Sequence, residues 1–120
     1  MAATERADRR AASGKQAIYS GLRAAGFNGE LVVVTYYSLN YADPVGTGII
    51  AEINTTLAKV TQAFGGTVAD GFGEFQHAAA AFGGDSCAAG LLIHLTPTTC
   101  DVHPSPAGAA LLAAAVRDAS

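Results

Sequence analysis

The chain has 120 residues, half of them apolar and 14% charged, with a formal net charge of -3 at neutral pH. That length confines it to one domain able to bury roughly two thirds of its unfolded surface, and that composition excludes a disordered polyelectrolyte. Five of its seven basic residues, Arg6, Arg9, Arg10, Lys15 and Arg23, fall within the first 23 positions, interleaved with Glu5 and Asp8 as on a solvated helix face, so nucleic acid is not an expected partner.

The first element is a helix over residues 4–25, with Ile18, Leu22 and Ala25 on one face and Gly26 as its stop. Asn28-Gly29 turns the chain into residues 31–37, Leu-Val-Val-Val-Thr-Tyr-Tyr, a run expected to form a strand buried on both faces of a parallel sheet. After a polar loop over residues 38–46, Ile49, Ile50, Ile53, Leu57, Val60 and Phe64 recur at spacings of three and four and predict an amphipathic helix. Gly65-Gly66 closes it, and residues 67–70 read as a short strand delivering Asp70 at its end.

Residues 72–82 read as helical around their alanines, whereas residues 85–95 are open between a short helix and an irregular loop. At the end of the chain, Ser105 is placed to cap a helix that begins at Pro106 and carries Arg117 in its last turn. This alternation predicts an α/β protein with a parallel sheet and helices on both faces. Two parallel strands alone leave open edges on segments whose composition asks for burial, so further strands are expected from a partner chain, from the undecided segments of this chain, or from residues upstream of Met1.

Cys87 and Cys100 flank a turn containing Pro97, Thr98 and Thr99. Three readings stand: a disulfide, favoured by the even count and short separation; two free, partly buried thiols; and a zinc site completed by His94 and His103, which lacks paired short-gap ligand motifs. A disulfide implies an oxidising compartment. Residues 1–10 are charged where a secretory signal would be apolar, and this mismatch is a first hint that the front of the protein is absent. No run reaches the ~20 apolar residues of a membrane span.

The sharpest local signal is Cys100-Asp101-Val102-His103-Pro104-Ser105-Pro106-Ala107-Gly108, just ahead of the last predicted helix. A histidine acting as general base needs a carboxylate on its other ring nitrogen to fix the tautomer and stabilise the imidazolium. Asp101, two residues before His103 on a loop pinned by prolines, suits that role. On spacing alone, an ordinary turn aspartate beside a surface histidine is the competing reading.

This block resembles the Asp-x-x-His or Asp-x-His segment that ends SGNH (GDSL-type) ester hydrolases. Residues 31–37 look like that family's late buried strand, and the Ile49 to Phe64 stripe like the crossover helix after it. The resemblance spans nearly the whole chain, although only the terminal block is specific. It implies a three-layer α/β/α parallel sheet of flavodoxin-like type, incomplete here, with residues 1–120 as the C-terminal part of one domain. It also implies that Asp101 and His103 are the acid and base of a Ser-His-Asp triad, that Cys87 and Cys100 are bridged as in secreted members, that the complete protein is secreted, and that no cofactor or metal is required.

The nucleophile block of the family precedes the matched region. Gly84-Asp85-Ser86 is present, but no buried strand leads into it and Cys87 follows, so it reads as a turn; Ser38 follows a good strand without flanking glycines. Tyr41, Asp43, Asp70 and His77 lie near strand ends, where open sheets bind ligands, and each reads more readily as structural. Two functions follow: a carboxylic ester hydrolase acting on a small-molecule or lipid ester, represented by its nucleophile-free half and inactive alone, or a non-catalytic module, either a remnant or a half-domain that associates with another chain or with itself.

Overall fold

A computed structural model of the chain describes residues 2–27 and 29–119, with backbone alone for 2–8 and 11. Asn28 of the predicted turn, and the side chains of Glu5, Arg6 and Asp8 on the predicted charged face, lie outside the described residues. The described residues form an α/β protein with four α-helices and two small sheets. In chain order these are α1 (Ala2–Ala24), β1 (Val32–Val34), α2 (Pro44–Ala63), β2 (Thr67–Ala69), α3 (Gly71–Ala79) with a 3-10 turn (Ala80–Phe82), β3 (Leu92–His94), β4 (Cys100–Pro104) and α4 (Pro106–Ala119).

Helix α1 stops where expected. Gly26 takes φ +89°, Phe27 N donates to Leu22 O and Gly26 N to Arg23 O, which is the paired bonding of a glycine-terminated helix. The face expected to pack is not the one that does. Ile18 is 55% exposed and Leu22 is exposed as well, while Tyr19 is buried. Its hydroxyl shares a 2.8 Å hydrogen bond with Thr61 Oγ1 and its ring leans on Phe64 at 5.6 Å. Leu31 and Val60 complete this cluster, so Tyr19 anchors α1 on α2, joined by Arg23, which donates to Phe64 O at 3.2 Å. Burying Thr61 costs little because its hydroxyl is bonded.

Helix α2 starts five residues before the apolar stripe. Asp43 caps it by accepting from Val45 N at 3.2 Å, and Pro44 supplies a preset φ at the first position. Leu57 and Val60 are buried; full burial of such side chains is worth about 1.5–3 kcal/mol each. The helix also buries a polar residue, Asn54, whose amide accepts from Tyr36 N and donates to Tyr36 O, both at 2.8 Å.

Strands β1 and β2 run parallel with Val33 opposite Val68. Leu31, Val33 and Thr35 are buried, but Val32 and Tyr36 are exposed, which corrects the expectation of a strand covered on both faces. Alternation sends Val32, Val34 and Tyr36 to the opposite face from Leu31, Val33 and Thr35, and that face is covered only in part. Thr67 N donates to Leu31 O and Thr35 N to Ala69 O, so the odd residues bond β2, while Val32 and Val34 turn their backbone groups toward the other edge, where no described strand pairs. Behind β2, Gly71 admits the close approach of α4: a Cβ there would come within 2.7 Å of Val34 Cγ1 and 2.9 Å of Leu112 Cδ2.

The rest of the core gathers Phe75, Ala79, Leu91 and Leu92 against Tyr37, Tyr41 and Leu112. Residues 85–95 settle into a turn and then strand β3, which pairs antiparallel with β4. The sheet content is therefore mixed, where only parallel strands were expected.

Candidate active site

Strand β4 carries the Asp101 and His103 pair and runs straight into α4. Ser105 ends the strand region and caps the helix, its Oγ accepting from Gly108 N at 3.2 Å and donating to Gly90 O at 2.6 Å. Pro106 opens α4 as the sequence predicts. At the other end of β4, Cys100 is bridged to Cys87 with Cα atoms 5.8 Å apart, which settles the three cysteine readings in favour of the disulfide. For a bridge spanning 13 positions the stabilisation is about 3 kcal/mol.

Alternation along β4 puts Asp101 and His103 on one face. His103 Nδ1 lies 3.1 Å from Asp101 Oδ1, and the same oxygen accepts from Val102 N at 2.6 Å. The bond from His103, followed by that from Val102, holds the Asp101 carboxyl below its ordinary value. Donation from Nδ1 leaves the Nε2 lone pair free to take a proton. The two side chains are 72% and 41% accessible, so that nitrogen faces solvent.

The neighbouring position ties β4 to the core. Val102 O accepts from the Tyr37 hydroxyl at 2.7 Å, and the Tyr37 ring stacks on Phe75 at 4.2 Å. Burial, and then the charge of Asp101, raises the pKa of Tyr37. The sequence placed Tyr37 at a strand end but gave no sign of this bond, which spans 65 positions. Beside it lies an apolar groove of about 510 Å³ walled by Tyr36, Tyr37, Leu39, Ile50, Val102 and Leu112. Val102 faces the groove, and Asp101 and His103 take the opposite face of the strand.

The serines weighed as nucleophiles are committed elsewhere. Ser86 is fully buried and donates to Ser38 O at 2.7 Å, within a turn entered through Gly83 and Gly84 at positive φ. Ser38 is buried, shares a 2.7 Å bond with Thr47 Oγ1 and accepts from Asn40 N. Among the described residues, Asp101 is the side chain that hydrogen bonds His103. Among the described residues the arrangement is therefore an imidazole oriented by a carboxylate, with no hydroxyl hydrogen-bonded to it.

Of the remaining candidates, three make structural hydrogen bonds. Asp43 and Asp70 cap α2 and α3. Tyr41 donates to Phe72 O at 2.7 Å and accepts from Ser38 N, and His77 sits in the last turn of α3. The predicted zinc ligands come together only in part: Cys87, His94 and Cys100 cluster, without His103. No helix of the described residues is long and apolar enough to cross a membrane. No family model, curated protein or solved structure matches the chain.

Proposed function

We propose that this chain is the acid-base half of a carboxylic ester hydrolase of SGNH type, with residues 1–120 forming the C-terminal part of its domain. The observation that carries the reading is the 3.1 Å contact between His103 Nδ1 and Asp101 Oδ1 on the segment entering α4. In the complete protein His103 Nε2 takes the proton of a serine hydroxyl, that oxygen attacks the ester carbonyl, and the imidazolium returns the proton to the departing alcohol. Asp101 holds the ring and offsets the positive charge. The serine and the oxyanion donors belong to another stretch of polypeptide, whose strands join β1 and β2 in a three-layer α/β/α sheet; the substrate is a small-molecule or lipid ester. The disulfide supports an oxidising, extracellular setting.

The open edge of β1 favours a second reading, a non-catalytic half-domain completed by another chain or a second copy. Translating the DNA upstream of the Met1 codon and expressing the extended protein separates the two. The first reading expects a strand running into Gly-Asp-Ser and hydrolysis of a p-nitrophenyl ester that His103→Ala abolishes. An extension without such a segment, or hydrolysis indifferent to His103→Ala, sinks it. The 120-residue chain alone is expected to turn over the ester no faster than its own His103→Ala variant.

A further inference from the structure

We infer that Cys87, Cys100 and His94 form a zinc site that replaces the disulfide when the bridge is reduced. The three ligand atoms already lie within 4.8 Å of one another, and His94 Nε2 is 3.8 Å from Cys87 Sγ. Tetrahedral zinc with bonds of ~2.3 Å to sulfur and ~2.0–2.1 Å to imidazole nitrogen sets such a pair roughly 3.6 Å apart. The imidazole thus stands near zinc-bridging distance of the Cys87 sulfur, and breaking the bridge frees the Cys100 sulfur to move out from its bonded position and complete the set.

The backbone is ordered before any ion arrives. His94 and Cys100 are direct cross-strand partners in the β3–β4 pair, and the turn bearing Cys87 is fixed by Asp85 Oδ1, which accepts from Cys87 N at 2.9 Å and Ala88 N at 3.2 Å. His94 is exposed and both sulfurs are half-buried, so reductant and metal have access.

The chemistry balances. A dithiol reductant transfers two electrons and two protons to the bridge and becomes a cyclic disulfide itself, leaving two protein thiols. Zinc then binds both sulfurs as thiolates and neutral His94 through Nε2, releasing the two thiol protons to solvent. Water fills the fourth position, since no fourth described side chain joins the group. This site does not depend on the ester-hydrolase reading.

The test uses the full chain, oxidised or reduced with a phosphine, which takes its oxygen from water and contributes no thiol ligand. Zinc content after desalting is expected at one ion per reduced chain and none per oxidised chain. With cobalt(II) as probe, the reduced chain is expected to show thiolate charge-transfer absorption. His94→Ala, which leaves the bridge able to form, is expected to weaken zinc binding at least tenfold, and His103→Ala to leave it unchanged. Should reduction alone unfold the chain, far-UV circular dichroism is expected to recover on adding zinc to the wild type and not to Cys87→Ser. Equal zinc content in the oxidised and reduced chains, or in the reduced chain and Cys87→Ser, overturns the proposal, as does a His94→Ala variant that binds as tightly as the wild type.

Discussion

The hydroxyl of Tyr37 donates to the carbonyl of Val102 at 2.7 Å, joining the end of the β1 segment to the residue between Asp101 and His103. The segment bearing the pair is therefore fastened at three points: by the Cys87–Cys100 bridge, by Tyr37, and by the Ser105 cap of α4. Tyr37→Phe removes the middle point and keeps the ring stacked on Phe75. Expected is a loss of about 0.5–1.5 kcal/mol in urea unfolding, with the hairpin amides exchanging faster. An unchanged exchange pattern would show that the bridge and the cap suffice.

The contact between Asp101 and His103 has a readable acid-side signature. Asp101 titrates below its ordinary 3.8 because His103, and then Val102 N, bond its charged form. The folded chain thus binds this proton less readily than the unfolded chain, so the contribution is fully present above pH 3.8 and is lost as pH falls through the folded value. His103→Ala is expected to move the Asp101 carboxyl titration, followed by carbon NMR, up toward 3.8. Identical midpoints in the two proteins would mean that the pair does not form in solution.

Tyr41 gives the alkaline counterpart. Burial, helped by the charge of Asp70 and opposed by the bond from Ser38 N, pushes its phenol up from 10.0 to about 12. The folded state holds this proton more tightly than the unfolded state, so its contribution is complete below pH 10.0 and disappears as pH climbs to about 12. Tyrosinate absorbance is expected to lose its latest component in Tyr41→Phe while the raised Tyr37 phenol remains, together with a shallower loss of stability above pH 10. Loss of no late component in that variant would place the raised group elsewhere.

Gly108 is required by close packing. A Cβ there would run into Leu91 O and come within 3.0 Å of Phe75 Cζ, while Leu91 O is already taken by Ser105 N. Gly108→Ala is expected to cost about 1–3 kcal/mol through displacement of the α4 start, read as a lower urea midpoint with unchanged slope. Gly48→Ala, at a helical glycine with open space around it, serves as the control and is expected to be neutral or stabilising. Equal effects at the two positions would refute the packing argument.

Local chemistry settled the elements whose causes are local. Gly26 stops α1 because a positive φ costs glycine little; Ser105 and Pro106 open α4 because a side-chain oxygen and a preset φ suit a first turn. The stripe through Leu57 and Val60 needed only its period to mark α2, and Asp43-Pro44 held an unread sign that the helix begins earlier. What periodicity does not carry is the identity of the neighbour. Hence Ile18 and Leu22 of α1 are exposed while Tyr19 carries the contact.

For the candidate site, the local sequence offered a carboxylate and an imidazole two positions apart, a spacing that suited a pair and equally a turn aspartate beside a surface histidine; strand alternation is what brings the two to one face. That this segment is a strand at all follows from contacts made over long stretches of chain. Its composition, with a proline at its end and charge within it, has weak strand preference, and its pairing with β3 is accompanied by two long-range ties, the Cys87–Cys100 bridge and the bond of Val102 O with Tyr37. The same holds for Ser86: its Gly-Asp-Ser setting was legible, but its burial against Ser38 O depends on chain 48 positions away. Bonds formed within a few residues are written in the local sequence, whereas those that close long loops depend on how every element packs.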